Sequence, residues 1–129
     1  MLRKKILLVD DAETILMIER MMLNKDYTIV TAKDGQEAVS VAIAERPDLI
    51  LLDVLMPKMG GFEACKEIRA KPEIGRIPII MVTTRGDEHS METGFQNGCN
   101  DYVTKPIDGL ELISKVRNYL GEPWEDLSQ

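Results

Sequence analysis

Cysteine is scarce in this chain: two in 129 residues, Cys65 and Cys99, at a spacing that fits no metal or redox motif. That argues against a disulfide framework or a zinc module. Both thiols read as small buried hydrophobes of a protein working in a reducing cytosol. Long apolar runs are missing too. None approaches membrane-spanning length, and MLRKKILLVDD has a run of only four apolar residues before two acids, too few for a signal peptide. Positive charge is short, with 16 Lys and Arg against 22 Asp and Glu and a net charge of -6. That balance argues against direct nucleic-acid binding, which needs a basic face, and against an anionic membrane surface. Internal repeats and low-complexity segments are absent. What remains is 44% apolar and 29% charged, an ordinary soluble composition. The length suits one domain that buries roughly two-thirds of its surface and needs no staple.

Apolar segments that end in polar groups stand out. KILLVDD (Lys5 to Asp11), LILLD (Leu49 to Asp53), PIIMVT (Pro78 to Thr83) and DYVTKP (Asp101 to Pro106) suit strands buried on both faces of a parallel sheet. Tyr27 to Ala32 alternates only partly and belongs at a sheet edge. Helical patterns separate the strands. Glu13 to Asn24 carries Ile15, Ile18 and Met22 on one face. Asp34 and Glu37 predict a capping box for a helix running to about Glu45, which Pro47 stops. Further helices are expected over Gly60 to Ala70, Asp87 to Asn97 and Asp108 to Leu120. The last turns Leu110, Ile113, Val116 and Leu120 to the core. Gly94 weakens the helix it interrupts by roughly 1 kcal/mol relative to alanine. The third strand is expected over Asp48 to Leu52, the fourth over Ile79 to Val82 and the fifth over Asn100 to Val103. The pattern is (βα)5, with helices on both faces of a parallel sheet.

In such sheets ligands sit beyond the carboxyl ends of the strands. Asp10, Asp11, Asp53, Thr83 and Lys105 should therefore converge. Adjacent carboxylates repel, and a hard cation relieves them; magnesium takes one or two carboxylates, several waters and a phosphate oxygen. Asp11 could instead cap the following helix. Asp53 could be a ligand, a base or a nucleophile that forms an aspartyl phosphate. The three oxygens of a transferring phosphoryl group need partners, and the metal, the Lys105 ammonium and the Thr83 hydroxyl could supply them. A lysine alone is usually solvated, and a threonine alone is common at strand ends; the set carries the signal. The Lys105–Pro106 bond can lock cis.

These motifs resemble a known family. Asp10-Asp11, DVLMPKMGG from Asp53 to Gly61, Thr83, and GCNDYVTKP from Gly98 to Pro106 are similar to the receiver (CheY-like) domain of two-component response regulators. The likeness covers about residues 3 to 121 and implies a receiver domain over 1–121, leaving 122–129 as a tail or the start of a linker. It implies a flavodoxin-like three-layer sandwich with a five-stranded parallel sheet of order 2-1-3-4-5. It implies Asp53 as phosphoacceptor, with magnesium (or manganese) held by Asp11, by Asp10 largely through water, by Asp53 and by the Leu55 carbonyl. Lys105 would pair with the phosphoryl group, Thr83 would move toward it, and Tyr102 would turn inward as the aromatic switch. Alone, Tyr102 reads as a half-buried sheet-edge aromatic. The implied donor is a sensor histidine kinase or a phosphotransfer protein. The implied output is a downstream protein docking on the face made by the fourth helix, fifth strand and fifth helix. Met91 and Phe95 lie near that face but are expected to point to the core.

Three positions depart from the family or lie where it varies. Thr84 is bulkier than the usual small residue, and Leu55 and Arg85 flank the site where phosphate lifetime is tuned. Apolar Leu55 is expected to hinder attacking water and Arg85 to reach the phosphoryl oxygens, while Gly94 suggests a mobile fourth helix. A stand-alone signalling receiver, or one cut from a longer regulator, is the reading to beat. A magnesium-dependent phosphohydrolase would carry a DxD nucleophile and a cap insertion, and neither is here. A flavin module would carry a Ser/Thr/Gly-rich loop where Asp10 and Asp11 stand.

Overall fold

The computed structural model describes residues 3–84 and 88–123. Strands and helices alternate strictly: β1 (Lys5–Val9), α1 (Glu13–Leu23), β2 (Thr28–Ala32), α2 (Gly35–Glu45), β3 (Leu49–Asp53), α3 (Gly61–Arg69), β4 (Ile79–Thr84), α4 (Glu88–Gln96), β5 (Asp101–Lys105) and α5 (Gly109–Leu120). All pairings are parallel, in the order β2-β1-β3-β4-β5. This is the flavodoxin-like α/β sandwich. Alternate residues of the central strands feed two cores. Leu7, Val9, Ile50, Leu52, Ile79 and Met81 face α2 and α3, and Ile6, Leu8, Leu49, Leu51, Ile80 and Val82 face α1 and α5. Each fully buried aliphatic side chain contributes roughly 2 kcal/mol. That explains why the middle of the sheet is uninterrupted Leu, Ile, Val and Met.

β2 is an edge strand, as its partial alternation predicts. β5 is the other edge. DYVTK is therefore not buried on both faces: only Val103 is buried. Strands three to five run further than the sequence suggests. Asp53 pairs with Val82, Thr83 with Thr104 and Thr84 with Lys105, so parallel pairing carries polar residues into the ladder.

The helices correct three side-chain assignments. α1 buries Leu16, Glu19 and Leu23, not a stripe centred on Ile18, which is exposed. Two apolar stripes lie one residue apart on this helix, and the one interrupted by a charge faces the sheet. α5 buries Leu112 and Val116, with Ile113 and Leu120 at the margin; Leu110 is 83% exposed. Asp108 caps α5 by accepting from the amides of Leu110 and Glu111, which rotates Leu110 outward. Phe95 is 47% exposed, not core-facing. Gly94 is buried, and a Cβ there would lie 3.2 Å from Cys99 Sγ and 3.5 Å from Met81 and Phe62. Its place in α4 therefore has a packing reason.

The capping box at α2 is a variant. Asp34 accepts from the Glu37 amide at 2.8 Å, but Glu37 accepts from Lys33 N, one residue before the usual donor. Cys65 and Cys99 are buried and free. Burial pushes the Cys99 thiol up to about 12, and the Cys65 thiol is raised for the same reason.

Candidate functional site

The sheet order places one polar group from each of four adjacent strands side by side. Val9 lies opposite Leu52 in the ladder, so the next residues, Asp10 and Asp53, emerge together. β4 brings Thr83 and β5 brings Lys105. A cleft of about 130 Å³ is lined by Asp10, Asp11, Asp53, Leu55, Thr83, Thr84 and Lys105, with Ala12, Val54 and Val82 completing it.

Oxygens of Asp10, Asp11 and Asp53 lie within 4.8 Å of one another. The Lys105 ammonium stands 3.4 Å from Asp10 Oδ2 and 3.3 Å from Asp53 Oδ1. The Lys105–Pro106 peptide is cis. Asp10 Oδ1 accepts from the Ala12 amide, whereas the buried Oδ2 is answered by the Lys105 ammonium. Buried carboxylates that outnumber their cationic partners are costly. Three clustered carboxylates facing one ammonium leave an excess of negative charge that suits a hard divalent cation, which prefers oxygen ligands. Two of the three, Asp10 and Asp53, are buried, and Asp11 is exposed at the rim.

Charge and burial tune the cluster. Asp53 is raised to about 6, first by burial and then by Asp10, with Lys105 opposing. It is still mostly ionised at neutral pH. Burial pulls the Lys105 ammonium down, but the Asp53 and Asp10 carboxylates outweigh it and leave its pKa above the ordinary lysine value.

Two glycines fix the backbone around Asp53. Gly61 opens α3 and donates its amide to Val54 O at 2.9 Å. A Cβ on it would sit 2.2 Å from the Asp53 carbonyl oxygen. Gly35 approaches Met59 O as closely, tying α2 to the loop that leads into α3.

Leu55 stands at the mouth, 76% exposed, beside Thr84. Arg85 lies outside the described residues. Tyr102 is not among the cleft residues. Its ring packs edge-on against Phe95, centroids 6.1 Å apart, on the α4 side of β5. The sequence reading missed Glu19. This α1 carboxyl is 1% exposed, neither oxygen has a hydrogen-bond partner, and it is raised to about 8 by burial, then by Asp10. Its signal was visible as a charged residue between Leu16 and Leu23 at helical spacing.

Among the described residues no helix is long and apolar enough to cross a membrane. The family pattern of the response regulator receiver domain matches residues 6–117. The chain is 40% identical over 120 residues to the alkaline phosphatase synthesis transcriptional regulatory protein PhoP of Bacillus subtilis, covering 92% of this chain and 49% of that protein. It thus spans about half the length of that curated relative. It covers only 25% of the response regulator PleD of Caulobacter vibrioides, at 36% identity over 88% of this chain. Among solved structures, the chemotaxis protein CheY4 of Vibrio cholerae superposes with a TM-score of 0.85 at 32% identity, covering 91% of this chain and 98% of that one. The receiver domain of a sensor histidine kinase from Pseudomonas aeruginosa PAO1, solved with magnesium coordinated in its active-site cleft, gives 0.85 at 34%, covering 93% and 99%. The chain belongs to the response regulator receiver domain family, the phosphorylatable signalling switches of two-component systems.

Proposed function

We propose that residues 1–121 accept a phosphoryl group on Asp53 from a sensor histidine kinase or a phosphotransfer protein in the cytoplasm. The observation that carries this is the Lys105 ammonium shared between Asp10 and Asp53, with three carboxylates converging beside it. Asp10, Asp11, Asp53 and the Leu55 carbonyl would hold magnesium (or manganese). When bound, that ion supplies charge neutralisation at the phosphoryl oxygens. An ionised Asp53 oxygen attacks phosphorus, the bond from phosphorus to the donor histidine nitrogen breaks, and the imidazole leaves with a proton from solvent. Lys105 follows the charge to a phosphoryl oxygen, and the Thr83 hydroxyl donates to another.

The new group adds close to two negative charges, and the surface responds only as far as its two states interact differently with that charge. Thr83 moving to the phosphoryl group makes room for Tyr102, and the face of α4, β5 and α5 changes shape. A groove of about 680 Å³ runs along α5 to Asp101, with exposed Leu110 and the partly buried Ile113 and Lys115 in its lining. A downstream protein docking there is the output.

Incubation with magnesium and acetyl phosphate should give a hydroxylamine-labile adduct on Asp53, and Asp53→Asn should give none. An adduct of equal yield on the variant would overturn the assignment. Leu55 shields the cleft mouth from water, and Thr84 narrows it. Leu55→Asn should therefore lose phosphate several-fold faster; a decay rate equal to wild type would remove that role.

A further inference from the structure

Lys115 occupies a place in α5 that the phosphorylation chemistry does not explain. Its ammonium lies 4.8 Å from the centroid of the Tyr102 ring. The same nitrogen donates to the Tyr102 carbonyl at 2.5 Å and pairs with Asp101 Oδ1 at 3.1 Å. That Asp101 oxygen also accepts from the Tyr102 amide at 2.8 Å. Because β5 is the free edge of the sheet, the Tyr102 carbonyl has no strand partner on its outer side, and Lys115 covers it. The ring is thus held by a cation over its face and by a T-shaped contact with Phe95, 81° between planes.

We propose that Lys115 is a positioning residue that latches Tyr102 in the unphosphorylated conformation and thereby sets the threshold for switching. The inference rests on the receiver reading and adds a regulator of that switch. Turning Tyr102 toward Thr83 leaves the carbonyl bond and the Asp101 pair in place, because they belong to the backbone and its neighbour. It breaks the contact of the ammonium with the ring face and of the ring with Phe95. The resting state alone enjoys those contacts, so they reduce the fraction of molecules in the active conformation. Apparent affinity for any ligand of the active state scales with that fraction.

The test uses the full chain with magnesium and beryllofluoride as the phosphoryl mimic. Tyr102 is followed by fluorine resonance in protein made with fluorotyrosine and assigned with Tyr102→Phe. Lys115→Met should move the mimic-free Tyr102 signal toward the position that saturated wild type adopts. It should also bind beryllofluoride roughly fivefold or more tightly. Lys115→Gln keeps a donor for the carbonyl but no charge, and should follow the methionine variant. Lys115→Arg keeps the cation and should stay close to wild type. A lysine that only props up the edge strand would lower thermal stability and leave affinity unchanged or weaker. Unchanged or weaker binding in the neutral variants, with wild type responding normally, overturns the latch alone. A wild-type Tyr102 signal that ignores saturating mimic overturns the latch together with the switch it regulates.

Discussion

Replacing Glu19 with leucine should raise the thermal midpoint of the metal-free protein at pH 7.5 by on the order of 10 °C, the reverse of the usual result for a buried residue. The carboxyl lies on the face of α1 that buries Leu16 and Leu23, with both oxygens unpartnered. Its pKa is raised from 4.5 to about 8, mainly by burial, then by Asp10, against a pull from Lys105 and a further push from Asp53. In the unfolded chain the proton is lost above the ordinary glutamate value; in the folded protein it is kept until about pH 8. Between those limits the folded state binds more protons, so stability falls as pH rises, by about 1.4 kcal/mol per unit. Near pH 7.5 the accumulated penalty is roughly 4 kcal/mol.

Asp53 is also raised, to about 6, and gives a slope of the same sign, but its window closes near that value. Melting curves from pH 6.5 to 8 therefore separate Glu19 from Asp53. Wild type should lose stability steadily across that range, and Glu19→Gln, which has no proton to lose, should not share the slope. The gap between the glutamine and leucine variants measures the unsatisfied polar group itself, on the order of 1–3 kcal/mol. Wild-type and Glu19→Gln curves that run parallel from pH 6.5 to 8 would show that the folded state does not hold the proton.

Glu19 also marks where the sequence stops being legible. Strand positions were clear because buried parallel strands must be continuously apolar, as in LILLD. The converging aspartates were clear because the ends of such strands meet on one edge. Side-chain direction on α1 and α5 was harder. The stripes Ile15, Ile18, Met22 and Leu16, Glu19, Leu23 differ by a rotation of one residue, and an unbroken apolar stripe looks like the buried one. Leu110 failed for a local reason, since the Asp108 cap sets where the first turn of α5 begins. The edge position of β5 depends on strand order, which alternation does not encode and the family resemblance supplied. Lys115 looks like any exposed helix lysine until β5 lies at that edge beneath it.

Glycines were the least readable, because their meaning is a distance to backbone elsewhere. Gly61→Ala should destabilise the fold by at least about 3 kcal/mol, more than overpacking a flexible side chain would. Its new Cβ would fall 2.2 Å from the Asp53 carbonyl oxygen and 3.0 Å from Val54 Cα, both backbone atoms that cannot swing aside. Relief requires α3 to lift or the Asp53–Val54 peptide to move. The peptide carries the Asp53 side chain, so the protein that stays folded should also bind magnesium weakly and accept little phosphate. Gly109→Ala is the matching control. It lies in the first turn of α5, its nearest neighbours are Met22 side-chain atoms at 3.6–3.9 Å, and alanine there should gain stability by up to about 1 kcal/mol. Gly94→Ala falls between, since about the same helix gain is set against a 3.2 Å approach to Cys99 Sγ. Urea midpoints should therefore rank Gly109→Ala above wild type, Gly94→Ala near it and Gly61→Ala far below. A Gly61→Ala midpoint within about 1 kcal/mol of wild type would mean that α3 can retreat from Asp53 without strain, and the close approach would then play no part in holding the phosphoacceptor.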